Sequence, residues 1–390
     1  MTKKLNGAII LIVAVTLLAV IVGVVGGMRG GGDIDRFAPD NFAELRQPHG
    51  LDATTAHGQV SVEHIRHMSD YLYNRFPFSY KEMFAAEWIV EELLAMGYTW
   101  EHIEVQEFAF ADVDFFPVPM HGASEIPDSV LMDSMALMMP IYFLLDETPF
   151  VNFNTRASRQ SQNVILTIPG QSENTIIVGA HYDSVLYPGA SDNASGTALL
   201  LESAQRMKTI DNYYTIVYVF FGAEEAGLIG VTYYVNSLTE QDHDNLLFML
   251  NADVLLEGPD LFYMGGYYRD GQSGSNHITE TWDEVARDVN AQLDVNLMPW
   301  PEGVFGPSDQ LAFLPHGHTA MFMIGLDALQ YWHDGATLEY MLGMARVLHS
   351  PRDDFHYINE NWPGKMEQNM MVFSVFLEEL LLAEYAVHTN

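Results

Sequence analysis

Thr175-Ile-Ile-Val-Gly-Ala-His181-Tyr-Asp183-Ser184 is a short apolar run that empties into a polar turn. Its core lacks the polar alternation of a half-exposed strand, which marks a strand covered on both faces. Two later runs repeat the pattern. Tyr214-Thr-Ile-Val-Tyr-Val-Phe-Phe221 leads into Gly-Ala-Glu224-Glu225, and Leu246-Leu-Phe-Met-Leu-Asn251 leads into Ala-Asp253. Helical stretches separate them, one from Ala198 to Met207 and one after Gly227. Alternation of this kind predicts an α/β chain: a three-layer α/β/α sandwich around a central mixed, mainly parallel sheet.

In an open α/β sheet, ligands collect beyond the carboxyl ends of the strands. Here those ends carry His181, the Glu224-Glu225 pair and Asp253. Residues two apart in extended chain face the same way, so Asp183 lies beside His181. From there its carboxylate would take the second ring N–H and fix the tautomer, as partners of metal-bound imidazoles do. Adjacent glutamates repel unless a cation or a shared proton relieves them. One of the pair can then bind metal while its neighbour moves a proton. Asp192 sits among the small residues Pro188-Gly-Ala-Ser191-Asp192-Asn-Ala-Ser195-Gly196-Thr197, ahead of the first helix. That place suits either a close approach to a cation or an N-cap.

Together with His349 in His349-Ser-Pro-Arg-Asp353-Asp354, these stretches resemble the motif set of the co-catalytic zinc aminopeptidases, the aminopeptidase S and aminopeptidase Y type of metallopeptidase. The resemblance runs from about residue 56 to 385. It implies two Zn²⁺ per chain: one held by His181 and Asp253, the other by Glu225 and His349, with Asp192 bridging both. It implies Glu224 as general base, Asp183 as the partner of His181, and a cis peptide bond at Asp192-Asn193. The expected activity is removal of N-terminal amino acids by metal-activated water, on peptide substrates with a free N-terminus. In some relatives a Tyr precedes the last His, whereas Leu348 stands here. His333 and His356 are alternatives for the last ligand. His349 ranks first because Ser350-Pro351 and Asp353 follow it. His316 and His318 flank a glycine and read as loop or rim residues. Trp300, Phe305, Phe313 and Met321, near Ser308-Asp309-Gln310, are either walls of a first-residue pocket or core.

The chain has 390 residues, is 48% hydrophobic, has no cysteine and carries a formal charge of −35. That length supports one large catalytic core. Without thiolates, a metal must be held by His and carboxylate. The charge repels nucleic acid and anionic lipid surfaces and attracts cationic peptides. Residues 8–27 carry no charge and, as a helix, are long enough to span about 30 Å of hydrocarbon. They are expected to form one transmembrane helix anchored in the lipid bilayer, with residues 1–7 cytoplasmic, 28–55 a linker and 56–390 an extracytoplasmic catalytic domain in a single-pass protein at the cell membrane. Residues 111–160, rich in Met, Phe and Pro, read as an insert in that domain.

Two rivals differ in chemistry. A glutaminyl cyclase-like acyltransferase would share the fold but use one zinc, and its members typically lack the residue at His181. A catalytically inactive peptidase-like ectodomain usually shows a broken ligand set, whereas all five positions are filled here.

Overall fold

Nine strands make one sheet in the computed structural model, which describes residues 56–109, 160–185, 187–269, 272–300, 308–327 and 347–385. They are β1 (Ile103–Ala109), β2 (Gln160–Ile168), β3 (Ser172–His181), β4 (Tyr214–Phe221), β5 (Leu246–Ala252), β6 (Asp260–Arg269), β7 (Gln272–Gly274), β8 (Leu297–Pro299) and β9 (Thr319–Leu326). The order is β1-β2-β4-β3-β5-β9-β6-β7, with β8 on β6.

The sheet is mixed, but parallel pairing dominates only its middle, where β4, β3, β5 and β9 run the same way. Counted by pairing, the whole sheet is evenly divided, which corrects the expected parallel majority. The difference arises at the flanks: β1 and β2 pair antiparallel on one side, and β6 runs against β9 on the other. Parallel neighbours need crossover helices that cover both faces, and only the central strands have the unbroken apolar runs that such burial selects.

The helices are α1 (Gln59–Asp70), α2 (Tyr80–Ala95), α3 (Ser195–Met207), α4 (Ile229–Ser237), α5 (Glu240–Asn245), α6 (His277–Leu293), α7 (Phe355–Asn361) and α8 (Lys365–Leu382). Helices α1, α2, α3, α6 and α8 pack together over one face, with Phe248 of β5 against Trp282 of α6. On the opposite face Ile177, Val219, Phe221, Met249 and Ala320 meet Val231, Tyr234 and Val235 of α4 and the segment Leu311–Leu314. Those strand residues alternate with the ones facing α3, as a two-residue repeat requires.

α1 stops at Asp70, although apolar periodicity continues to Phe76. Asn74 takes a positive φ of 57°, and Arg75 leaves the helical path to reach the loops at the ends of the central strands. β8 is short because α6 continues through Leu293 and ends on Asp294 in the left-handed region, although apolar alternation over 293–298 predicts a longer strand.

The helical layer is tied together by Glu202 of α3. Its buried carboxylate accepts the backbone N–H groups of Gly58 and Ser61, the hydroxyls of Ser61 and Ser374, and the Nε–H of Arg206. One side chain thus joins the start of α1 to α8 through α3.

The expected anchor at 8–27, its flanks at 1–7 and 28–55, and the insert up to residue 159 lie outside the described residues. Among the described residues, no helix is long and apolar enough to cross a membrane.

Candidate metal centre

Three adjacent parallel strands deliver the site. β3 ends in His181, β4 is followed by Glu224 and Glu225, and β5 is followed by Asp253. His181 Nδ1 lies 3.3 Å from Asp183 Oδ1, which orients the ring so that Nε2 faces the crevice. That Nε2 is 3.1 Å from Asp192 Oδ1 and 3.3 Å from Asp253 Oδ1. On the other side, His349 Nε2 is 2.9 Å from Asp192 Oδ2 and 3.2 Å from Glu225 Oε2. The two oxygens of Asp192 therefore serve two imidazoles, in two groups of potential ligand atoms: His181, Asp192, Asp253 and Asp192, Glu225, His349.

Asp192 does not cap α3, whose first N–H groups are met in part by its neighbour. Asn193 takes that task, its Oδ1 accepting the Gly196 N–H at 2.7 Å while its amide donates to the Ala252 carbonyl. The Asp192-Asn193 peptide bond is cis. A Cβ on Gly196 would fall 2.0 Å from the Ala252 carbonyl oxygen, so only glycine lets α3 approach β5 this closely beside Asp253.

The surroundings fix the ligands through backbone as much as side chain. Asp183 also accepts the N–H groups of Glu224 and Glu225 at 3.1 and 3.0 Å, so one carboxylate aligns the end of β3 with the turn after β4. Glu82, at the start of α2, accepts the Ala223 N–H from beneath that turn, together with the Ser161 hydroxyl. Asp353 accepts the N–H groups of both Ser191 and Asp192. Ser308 donates to Asp253 Oδ2 at 2.7 Å and accepts from the Asn251 amide.

Arg75 is fully buried behind the centre, and its guanidinium donates to the carbonyls of Met68, Leu72, Tyr182, Pro188 and Gly189. Burial lowers its pKa to about 10, although Asp353, Asp183, Asp192 and Glu225 favour its charge. Of these supporting groups, sequence reasoning identified Asp183 alone. Asp353 and Ser308 lay within quoted stretches but had no assigned task. Arg75 and Glu82 gave no sequence signal, because nearly all their partners are backbone atoms, and those that tie them to the site are distant in sequence.

The electrostatics are those of a crowded anionic cage. Burial opposes charge on His181, yet Asp253, Glu224, Asp183 and Asp192 outweigh it and push its pKa well up. His349 behaves likewise between Glu225 and Asp192. Glu225 is pushed up to about 7, by burial and by Asp192. Burial raises Glu224 far above the usual carboxylate range, and Glu225, Asp309 and Asp253 add to the rise while His181 opposes it. Burial acts against the Asp192 anion, but hydrogen bonds with His181 and His349 hold its pKa well below the ordinary value.

Buried atoms with no hydrogen-bond partner converge here, including His181 Nε2, Glu225 Oε1 and Asp253 Oδ1. Such groups are costly to bury unpaired. Two imidazoles and three carboxylates, all hard or borderline donors without thiolate, match the donor set of zinc. The residues present therefore fit a pair of divalent cations.

The other sequence-derived candidates lie elsewhere. His356 is exposed and paired with Asp70 at 3.0 Å, and His333 and Phe305 fall outside the described residues. Phe313 and Met321 are core residues. Leu348, which stands where some relatives have a Tyr, packs with Val254, Phe262 and Trp300 in an apolar cluster next to Asp253 and His349.

The model of peptidase family M28 matches residues 163–374, more than half of the chain. Aminopeptidase YwaD of Bacillus subtilis is 32% identical over 190 residues, which cover 47% of this chain and 37% of that protein. The chain thus matches well under half of that relative's length. The solved structure of BSAP, a zinc aminopeptidase from Bacillus subtilis, superposes with a TM-score of 0.59 at 18% identity, over 83% of this chain and 95% of that one. A glutaminyl cyclase from an Acidobacteriales bacterium shares the fold at a TM-score of 0.56 and 15% identity, over 83% and 93% of the two chains.

Proposed function

This chain belongs to peptidase family M28, and we propose that it is a zinc aminopeptidase that removes N-terminal residues from peptides at a pair of metal ions. The observation that carries the reading is Asp192, whose two oxygens face two separate imidazoles, each with a further carboxylate. His181, Asp192 and Asp253 would hold one ion, and Asp192, Glu225 and His349 the other. When bound, such a pair supplies Lewis acidity to a carbonyl and brings the acidity of water toward neutral pH.

Glu224 is the proposed proton carrier. Its side chain is 14% exposed, so it faces both the crevice and the solvent path, and its Oε2 lies 4.0 Å from His181 Nε2. Burial, and then the carboxylates of Glu225, Asp309 and Asp253, favour its uptake of a proton, and Oε2 would accept that proton from the attacking water. The same oxygen then returns the proton to the leaving amine nitrogen. Asp183 acts by orientation: it fixes the His181 ring and, through the Glu224 and Glu225 N–H groups, the turn that carries the base. Asp309 and Glu224 are carboxyl groups beyond the metal-holding set that burial and their neighbours push toward the neutral acid, and a peptide α-ammonium placed beside them would favour their ionised form.

The test is metal analysis of the purified protein with a panel of aminoacyl-p-nitroanilides, assayed with and without chelator. Two zinc per chain, chelator-sensitive turnover and failure to cleave an N-acetylated peptide are expected. One zinc per chain with cyclisation of N-terminal glutamine would replace this reading with the single-zinc acyltransferase.

We extend the proposal to location. The uncharged stretch 8–27, preceded by Lys3 and Lys4, supports a single-pass anchor with the hydrolase on the extracytoplasmic side. Release of the full chain from membranes by an alkaline wash would overturn it.

A further inference from the structure

Three histidines that the metal centre leaves aside meet at the other end of the sheet. His243 lies in the last turn of α5, immediately before β5, while His316 closes the short turn Leu314–His316 and His318 directly precedes β9. β5 and β9 are parallel neighbours with Ala252 opposite Met323, and Asp253 follows where β5 leaves the sheet. The entry ends of these strands therefore lie at the pole away from the catalytic crevice, roughly 20 Å from Asp253 at about 3.3 Å per residue.

His243 Nδ1 and His318 Nε2 are 2.7 Å apart, and their ring planes differ by 8°. The His316 ring lies 5.0 Å from that of His243 at 11°, and 6.4 Å from that of His318 at 18°. An N···N contact this short has one ring offering a lone pair and the other an N–H. Two nitrogens are thus aimed at one point, with a proton where a cation can sit. Phe313 closes the inner side, its centroid 6.4 Å from that of His318. The outer side is acidic: Glu240, Asp242 and Asp244 share the helix with His243, on a chain of net charge −35 that draws cations. The Asp242 carboxylate is committed to capping α5 at Thr239, which leaves imidazole as the principal donor.

We propose that His243, His316 and His318 form a separate site for a divalent transition cation, which joins α5 and the entry of β5 to the entry of β9. An all-imidazole set suits zinc, nickel and copper, and disfavours magnesium and calcium. Metal–nitrogen bonds of about 2.0–2.1 Å require the His243–His318 pair to open to roughly 3.3 Å. As the rings stand, no choice of one nitrogen from each of the three brings all of them within 4.8 Å of one another, so the third bond requires His316 to turn. Its side chain is exposed, which permits the turn. The site does not rest on the hydrolase reading.

The test uses the full chain, stripped with EDTA and dialysed to equilibrium against zinc, with zinc counted per chain in wild type, His243→Ala, His318→Ala and His316→Ala. Each variant is expected to bind one zinc fewer than wild type and to keep its turnover of leucyl-p-nitroanilide. Zinc should raise the wild-type melting temperature more than theirs, and magnesium should raise neither. In His349→Ala the difference made by adding His243→Ala must persist, so failure of the catalytic-centre assignment leaves this comparison intact. Equal zinc counts in wild type and all three variants, with matching melts in EDTA to show that the variants are folded, would overturn the site.

Discussion

Asp353 and Asp192, far apart in sequence, are joined by a hydrogen bond in which the Asp192 backbone N–H donates to Asp353 Oδ2 at 3.0 Å. The Ser191 N–H donates to the other oxygen, and the Ala190 N–H to the Asp353 backbone carbonyl. The stretch that carries His349 thus also positions the carboxylate that faces both imidazoles. Asp353→Asn keeps the shape but replaces one acceptor oxygen with a donor that meets an N–H. A loss of about 10–100-fold in metal affinity or activity is expected, the usual effect of disturbing a group that orients a ligand. Zinc titration followed by steady-state kinetics reads it. Wild-type affinity and turnover in this variant would show that the loop holds itself.

Glu224→Gln separates proton transfer from metal holding. Glu224 belongs to neither of the two ligand groups, so the variant should retain both zinc ions while kcat falls by about 10²–10⁴-fold. Retained zinc with near wild-type kcat would move the base elsewhere, first to Asp309, a buried carboxyl outside both ligand groups that acts on Glu224 electrostatically and whose two oxygens have no hydrogen-bond partner.

The central strands were legible because their apolar runs are long, and because a strand end that carries His, Glu-Glu or Asp stands out against them. Fold class and the convergence of His181, Asp192, Glu225, Asp253 and His349 followed from that contrast and from the family resemblance. The flanking pairings were not legible, since β1 and β2 pair across the 111–160 segment and nothing in their composition fixes direction. Nor were Arg75 and Glu82, which reach the site through hydrogen bonds to the main chain of Tyr182, Pro188, Gly189 and Ala223, all over 100 residues away. A backbone acceptor leaves no trace in residue type. His316 and His318 do lie in a loop, as expected, but His243 joins them only because β5 and β9 are neighbours.

Arg75→Lys tests the clamp behind the site. A planar guanidinium reaches five carbonyls at once, and an ammonium cannot reproduce that fork. Hydrogen bonds to charged groups contribute about 1.5–3 kcal/mol each, so loss of even two should cost roughly 3 kcal/mol or more of unfolding free energy. The backbone at Tyr182 and at Pro188–Gly189 should loosen with it, and zinc affinity should fall in parallel. Urea unfolding and zinc titration of the same preparation check both, and an unchanged midpoint would remove Arg75 from the supporting frame.

Glu202 gives a pH dependence whose sign can be worked out in a region remote from the metal ligands. Burial favours the neutral acid, but hydrogen bonds from Gly58, Ser374 and Ser61 and the charge of Arg206 prevail, holding its pKa below the ordinary 4.5. A carboxylate with a depressed folded-state pKa contributes stability that is complete above its unfolded value and is lost as pH falls through the folded one. Glu202→Gln keeps the volume and one acceptor but loses the charge, so it should be less stable than wild type at neutral pH. The gap should narrow once pH drops below about 4.5, because the unfolded wild-type chain then takes up that proton, and should close as the folded carboxylate protonates at lower pH. Thermal melts of both proteins between pH 7 and pH 3, compared as differences so that other carboxylates cancel, measure the effect. A gap that stays constant or widens in acid would mean that the charge on Glu202 does not hold α1 and α8 to α3.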